Sequence, residues 1–145
     1  MSPTVLQLSR SAYLDLVAHL YDGLPDEGCG LLGGRPAVAE GEPTAAAALF
    51  YPSVNVAASS RVYTIDPTTH LRADRDAEDR GLEIIGVAHS HTHTEPYPSP
   101  TDVAQAPDPS WHYVIVSFRQ GPPVLRSFLI RDGEITEEPV ALVDG

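Results

Sequence analysis

The chain has 145 residues, of which 42% are hydrophobic and 20% charged, proportions that exclude a disordered or fibrous protein. Its formal charge is −11, with nine arginines and no lysine, so the clustered basic surface of a nucleic-acid binder is not expected. This length fills one hydrophobic core rather than two, and a single domain over residues 1–145 is the expectation.

Thr4–Leu8 alternates polar and apolar residues as a strand does, and Ser9 or Ser11 then caps a helix running to about Tyr21, with Leu14, Val17, Ala18 and Tyr21 on one face. Gly23 and Pro25 end it, and Cys29–Gly34 reads as a short buried strand preceded by Glu27. Ala45–Tyr51 and Val62–Ile65 read as two more strands around a polar turn. Asp66-Pro67 opens a helix that Gly81 stops after Arg80. Arg61, Arg72, Arg75 and Arg80 are interleaved with Asp66, Asp74, Asp76, Glu78 and Asp79, the pattern of a solvated helix. Glu83–His89 is rich in β-branched residues and suits a central strand. Trp111–Phe118 and Val124–Arg131 follow as strands, and Asp132-Gly133 marks a tight hairpin before Ile135. These elements make a mixed α/β sheet, partly antiparallel, with flanking helices.

The lone cysteine, Cys29, has no intramolecular partner, which fits a reducing compartment. Met1–Arg10 lacks the basic start, apolar run and cleavage site of a secretion signal, and no apolar stretch is long enough to span a bilayer. A cytoplasmic protein is expected.

Three of the six histidines fall in His89-Ser90-His91-Thr92-His93, and residues two apart on a strand share a face. Two neutral imidazoles there suit zinc, whose catalytic sites take three protein ligands and keep one position for water. Spacing alone leaves open whether the pair is His89 with His91 or includes His93; a polar, exposed strand end is the plain alternative. Downstream, Ser99 reads as the N-cap of a short helix with Pro100 at its first position and Asp102 in its first turn. Ser-x-x-Asp is also an ordinary capping arrangement. A capping hydroxyl, however, accepts a backbone N–H and keeps its own proton to donate.

Glu27, His89-x-His91, seven intervening residues and Ser99-x-x-Asp102 together resemble the JAMM/MPN+ zinc metallopeptidases. The likeness runs over residues 5–130, through Glu27-Gly28-Cys29-Gly30-Leu31-Leu32-Gly33 and Asn55-Val56-Ala57 to Ile65-Asp66-Pro67. His89-Ser90-His91-Thr92 with Tyr97-Pro98-Ser99 is similar to the compact bacterial Mec type, where many eukaryotic members carry proline in place of Thr92. The resemblance implies a cytidine-deaminase-like fold and one zinc ion per chain, held by His89, His91 and Asp102 with a bound water. It implies that Glu27 takes the water's proton and passes it to the leaving amine, and that Ser99 donates to the oxyanion. It alone selects Glu27 over Asp26 and Glu95.

The implied partner is a small ubiquitin-like or sulfur carrier protein with a glycine-ended tail, cleaved at an amide or isopeptide bond and in the Mec version releasing cysteine. Such tails bind as an added strand at a sheet edge. Two other readings compete: a deubiquitinase-like isopeptidase and a non-catalytic MPN scaffold. A His-x-His amidohydrolase or phosphoesterase barrel needs a longer chain of roughly 200 residues or more. Cys29 reads as a small buried residue, Trp111 as a packing residue, and His19, His70 and His112 as structural or surface residues.

Overall fold

The computed structural model of the protein describes residues 4–37 and 44–145; residues 1–3 of the N-terminal stretch considered above lie outside them. The chain forms β1 (Val5–Ser9), α1 (Arg10–Asp22), β2 (Cys29–Arg35), β3 (Thr44–Ser53), α2 (Pro67–Asp79), β4 (Glu83–His91), α3 (Pro100–Ala104), β5 (His112–Ser117), β6 (Val124–Arg131), β7 (Glu134–Glu138) and β8 (Val140–Val143). The strands make one mixed sheet in the order β7-β6-β5-β4-β2-β3-β1-β8. The β1/β3, β1/β8 and β4/β5 pairs are parallel; the others are antiparallel.

β7 and β8 lie at opposite ends of this order, yet only Pro139 separates them in the chain. The sheet must therefore curl until its two ends meet. The Leu6 N–H bonds to the Pro139 carbonyl at 3.0 Å, and the Thr4 hydroxyl donates to Glu138. Glu138 is itself buried, and it holds His112 Nδ1 at 2.6 Å and the Ser127 hydroxyl at 2.7 Å. His112 is thus a structural residue, joined to a carboxylate that the sequence pattern gave no reason to pair with it.

The two faces of the sheet are covered differently. α1 lies over Leu6, Leu8, Leu32, Val114 and Val116, whereas Leu31, Val87, Tyr113 and Ile130 meet Ala73 of α2. The expected α1 face is corrected. Ala12, Leu16 and Leu20 are buried, while Leu14 and Tyr21 are 58% and 60% exposed. Both rows are apolar, and only contact with the sheet decides between them.

The Val62–Ile65 strand also fails to form, except for one bridge between Asn55 and Ile65. The Asn55 side chain intercepts the backbone groups that a strand partner would need: its amide donates to the Val62 carbonyl at 3.0 Å and its Oδ1 accepts from the Thr64 N–H at 2.9 Å. Arg61 consequently sits in this loop and not with the helical arginines. β8 was not anticipated from its sequence.

β4 is the strand that positions the site. Its β-branched residues pack on both faces, and Gly86 lies so close to β5 that an added Cβ would fall 2.2 Å from the His112 carbonyl oxygen. β2 and β5 flank β4 on both sides, so the sheet has no free edge there for an added strand. No helix among the described residues is long and apolar enough to cross a membrane.

Candidate metal centre

His89 and His91 end β4 on the same face, as the period of a strand dictates. α3 begins opposite them. Ser99 caps it by accepting the Asp102 N–H at 3.0 Å, and the Asp102 carboxylate reaches back to the Ser99 N–H at 2.9 Å. This reciprocal capping box satisfies two backbone donors and fixes the carboxylate. The same oxygen, Asp102 Oδ2, lies 3.1 Å from His91 Nε2 and 3.3 Å from His89 Nε2. The two imidazole nitrogens are 3.2 Å apart.

A tetrahedral zinc ion with bonds of about 2.0–2.1 Å requires ligand atoms about 3.3–3.4 Å apart. The three observed edges match that requirement closely. His91 Nδ1 is 2.8 Å from the Glu95 carbonyl; an N–H there leaves Nε2 as a lone pair aimed at the centre of the triangle. Three acceptors facing one point need a cation, and zinc suits two imidazoles and a carboxylate. Tyr63 covers the centre from one side, its ring stacked on His89 with centroids 4.3 Å apart.

Burial lowers the pKa of His89. For His91 burial acts in the same direction but is outweighed by Asp102 and the Glu95 carbonyl, so its pKa rises. Burial would raise the Asp102 carboxyl, yet the two imidazoles hold it far below the usual carboxylate range. Tyr63 stays a neutral phenol because it is buried and faces Asp102.

Glu27 lines the same groove as His91 and Ser99, a cavity of about 350 Å³. It is buried, and its Oε1 has no protein partner. Burial pushes its pKa up to about 7, against the lowering effect of His91, which brings a carboxylate into the range where it both takes and gives a proton near neutrality.

Its backbone is held on both sides. The Glu27 N–H bonds to the Ser59 carbonyl at 2.8 Å, and the Glu27 carbonyl accepts from the Asn55 amide at 2.9 Å. Next along the chain, the Gly28 N–H donates to the Ser90 hydroxyl at 2.8 Å, tying the acid to the strand that carries the histidines. Asn55, Ser90 and Tyr63 each touch a site residue or its chain neighbour across a long stretch of chain, which spacing could not single out. His93 leaves the strand and lies exposed on the groove wall. Cys29 is buried, burial pushes its thiol up to about 12, and its sulfur lies against the Val54 and Thr64 carbonyls, outside the cluster of His89, His91 and Asp102.

Two imidazoles and a carboxylate around one point, with a buried acid in the same groove, define a hydrolase that works through a metal ion. The chain belongs to the family described as prokaryotic homologs of the JAB domain, whose model matches residues 9–131, and is a peptidase of that family, for which zinc is the implied metal. It is 41% identical over 130 residues to the CysO-cysteine peptidases of Mycobacterium tuberculosis and Mycobacterium bovis, covering 89% of this chain and 85% of theirs. Among solved structures, a protein from Desulfitobacterium hafniense matches with a TM-score of 0.85 and 33% identity, over 97% of this chain and 94% of that one. A JAB1/MPN domain protein from Archaeoglobus fulgidus, 20% identical, shares the fold with a TM-score of 0.55 over 93% and 98% of the two chains.

Proposed function

We propose that this protein is a zinc peptidase that hydrolyses the amide bond between the C-terminal glycine of a small ubiquitin-like sulfur carrier protein and cysteine, releasing the free amino acid. The observation that carries the reading is the His89, His91, Asp102 triangle with Glu27 and Ser99 on one groove. The likeness to CysO-cysteine peptidases supports the choice of substrate.

His89, His91 and Asp102 hold the metal, which supplies Lewis acidity and makes water acidic enough to attack near neutral pH. Glu27 takes a proton from the attacking water onto its carboxylate. Ser99, whose oxygen caps α3, keeps its hydroxyl proton to donate to the oxygen of the carbonyl under attack. Glu27 then hands its proton to the cysteine nitrogen as the C–N bond breaks, so the base of the first step is the acid of the second.

The test combines metal analysis with cleavage of a carrier–cysteine adduct. Wild type is expected to hold one zinc ion per chain and to release cysteine. Asp102→Ala loses zinc and activity together; Glu27→Ala keeps zinc and loses activity by at least about 10²-fold, the usual scale of general acid–base catalysis. Purified wild type without zinc affinity would remove the mechanism, and full activity in Glu27→Ala would remove the proton-transfer role.

A further inference from the structure

The groove that holds Glu27 and Ser99 is also lined by Arg61, Thr92 and His93. In a chain of net charge −11, an arginine on the wall of an acid-bearing site needs a reason. Arg61 lies in the loop that Asn55 braces, and its own N–H is fixed by the Ser59 hydroxyl at 3.0 Å. Arg61 is exposed, and its guanidinium, like those of Arg72 and Arg75, makes no ion pair or hydrogen bond with any side chain among the described residues. A cavity of about 370 Å³ that Tyr63 also lines is walled by Leu31, Ile65, Val87 and Trp111 and has no arginine on it, and a smaller one that Glu27 also lines has none either.

These features bear on the leaving group. Glu27 must face the scissile nitrogen to protonate it, so the groove shared by Glu27 and Arg61 receives the leaving side of the bond. When the leaving group is an amino acid, its α-carboxylate hangs from the very carbon that bears this nitrogen. When the bond is an isopeptide to a protein lysine, an alkyl stem stands there instead, and no negative charge enters the groove. A carboxylate brought beside the Glu27 carboxylate is repelled unless a cation meets it, and a guanidinium meets a carboxylate with two parallel hydrogen bonds.

We propose that Arg61 is a specificity-determining residue that binds the free α-carboxylate of the departing amino acid, so that the enzyme releases single amino acids from its carrier in preference to cutting isopeptides. This inference rests on the function proposed above and adds to it the group that recognises the leaving side. The bonds made and broken are those of the hydrolysis already described. Arg61 changes only which substrates reach it.

The test uses the zinc-loaded full chain and two substrates: a small ubiquitin-like sulfur carrier joined at its C-terminal glycine to cysteine, and the same carrier joined to cysteinamide. Wild type is expected to prefer the acid by roughly tenfold to a hundredfold in kcat/KM, the span of a hydrogen bond to a charged group. Arg61→Ala brings the two substrates to within about threefold of each other, and Arg61→Glu favours the amide.

A second readout needs no turnover. With fluorescently labelled carriers, Glu27→Gln binds the acid more tightly than the amide by anisotropy, and adding Arg61→Ala removes that difference. Equal cleavage of acid and amide by wild type, or an undiminished preference in Arg61→Ala, overturns the role of Arg61 and leaves the proposed function standing. A wild type that carries its zinc and cleaves neither substrate overturns the proposed function and this inference with it.

Discussion

Asn55 is the residue whose removal best separates the two halves of the site. Its amide donates to the carbonyls of Glu27 and Val62 at 2.9 and 3.0 Å, and its Oδ1 accepts from Thr64 and Ala57 at 2.9 and 3.1 Å. Its amide also donates weakly to the Ser59 carbonyl at 3.4 Å, and Asn55→Ala strips all of these. The Glu27 and Val62 carbonyls are partly shielded and cost about 1 kcal/mol each, while the two N–H groups at the surface recover water and cost less, giving about 2–3 kcal/mol in all. A domain of ordinary stability, about 5–15 kcal/mol, survives that loss. What does not survive is the fixed position of Glu27, and a displacement of about 1 Å there is enough to lower kcat about 10²-fold.

The proposed ligands His89, His91 and Asp102 sit on β4 and α3 and share no hydrogen bond with Asn55, so zinc content should stay at the wild-type value. The assay is a urea titration followed by the fluorescence of the single tryptophan, Trp111, together with kcat and zinc measured on the same preparation. Asn55→Asp, which keeps the acceptor and loses both donors, should fall between wild type and Asn55→Ala. Loss of zinc in step with activity, or unchanged activity per zinc, would refute the argument that this side chain holds the acid.

Ser99→Ala should lose about 1 kcal/mol as an N-cap and about 10²–10³-fold in kcat as an oxyanion donor, whereas Ser99→Thr keeps most of both; thermal unfolding and steady-state kinetics on the pair decide it. Glu138→Ala leaves His112 and Ser127 buried without their partner and should destabilise by about 2–4 kcal/mol in chemical denaturation, with zinc content unchanged. Burial pushes the Cys29 thiol up to about 12 in the folded protein, from an ordinary value of 9.0. The unfolded thiol therefore ionises first, and the stability this group contributes is full below pH 9.0 and lost as pH rises towards 12. Cys29→Ala should flatten that alkaline decline, and iodoacetamide at pH 8 should label wild type only in denaturant.

The clustering of His89, His91 and Asp102 was legible because local rules write it. His89-x-His91 needs only the two-residue period of a strand, and Ser99-x-x-Asp102 only the geometry of a helix start. Both lie within a short stretch of chain, so spacing carries the information. The arrival of Glu27 beside that cluster has no such signature. Glu27 reaches the site because β2 pairs with β4 and because Asn55 and Ser59 hold its backbone; family likeness alone distinguished it from Asp26 and Glu95. α1 was misread for a related reason, since two apolar rows offer the same periodicity and only contact with Leu6 and Leu8 chooses between them. The curl of the sheet is likewise invisible locally: it is written in the pairing of β1 with β8, which no periodicity in either segment announces.

This division has a mechanical consequence for how the site varies. The ligands are carried by a strand buried between β2 and β5 and by a helix start whose carboxylate is already engaged in capping, so their geometry is set by elements that cannot shift without breaking the core. One wall of the groove comes from the segment between β3 and α2, which pairs with the rest of the fold through the Asn55 side chain, one bridge and a few backbone bonds such as that from the Glu27 N–H to Ser59. Residues there, Ser60 and Arg61 among them, line the groove without carrying backbone pairing that the sheet depends on. Substitutions at Ser60 or Arg61 should therefore change what enters the groove at little cost to the fold, whereas changes at Asn55, in β4 or at Ser99 reach the groups proposed to carry the chemistry.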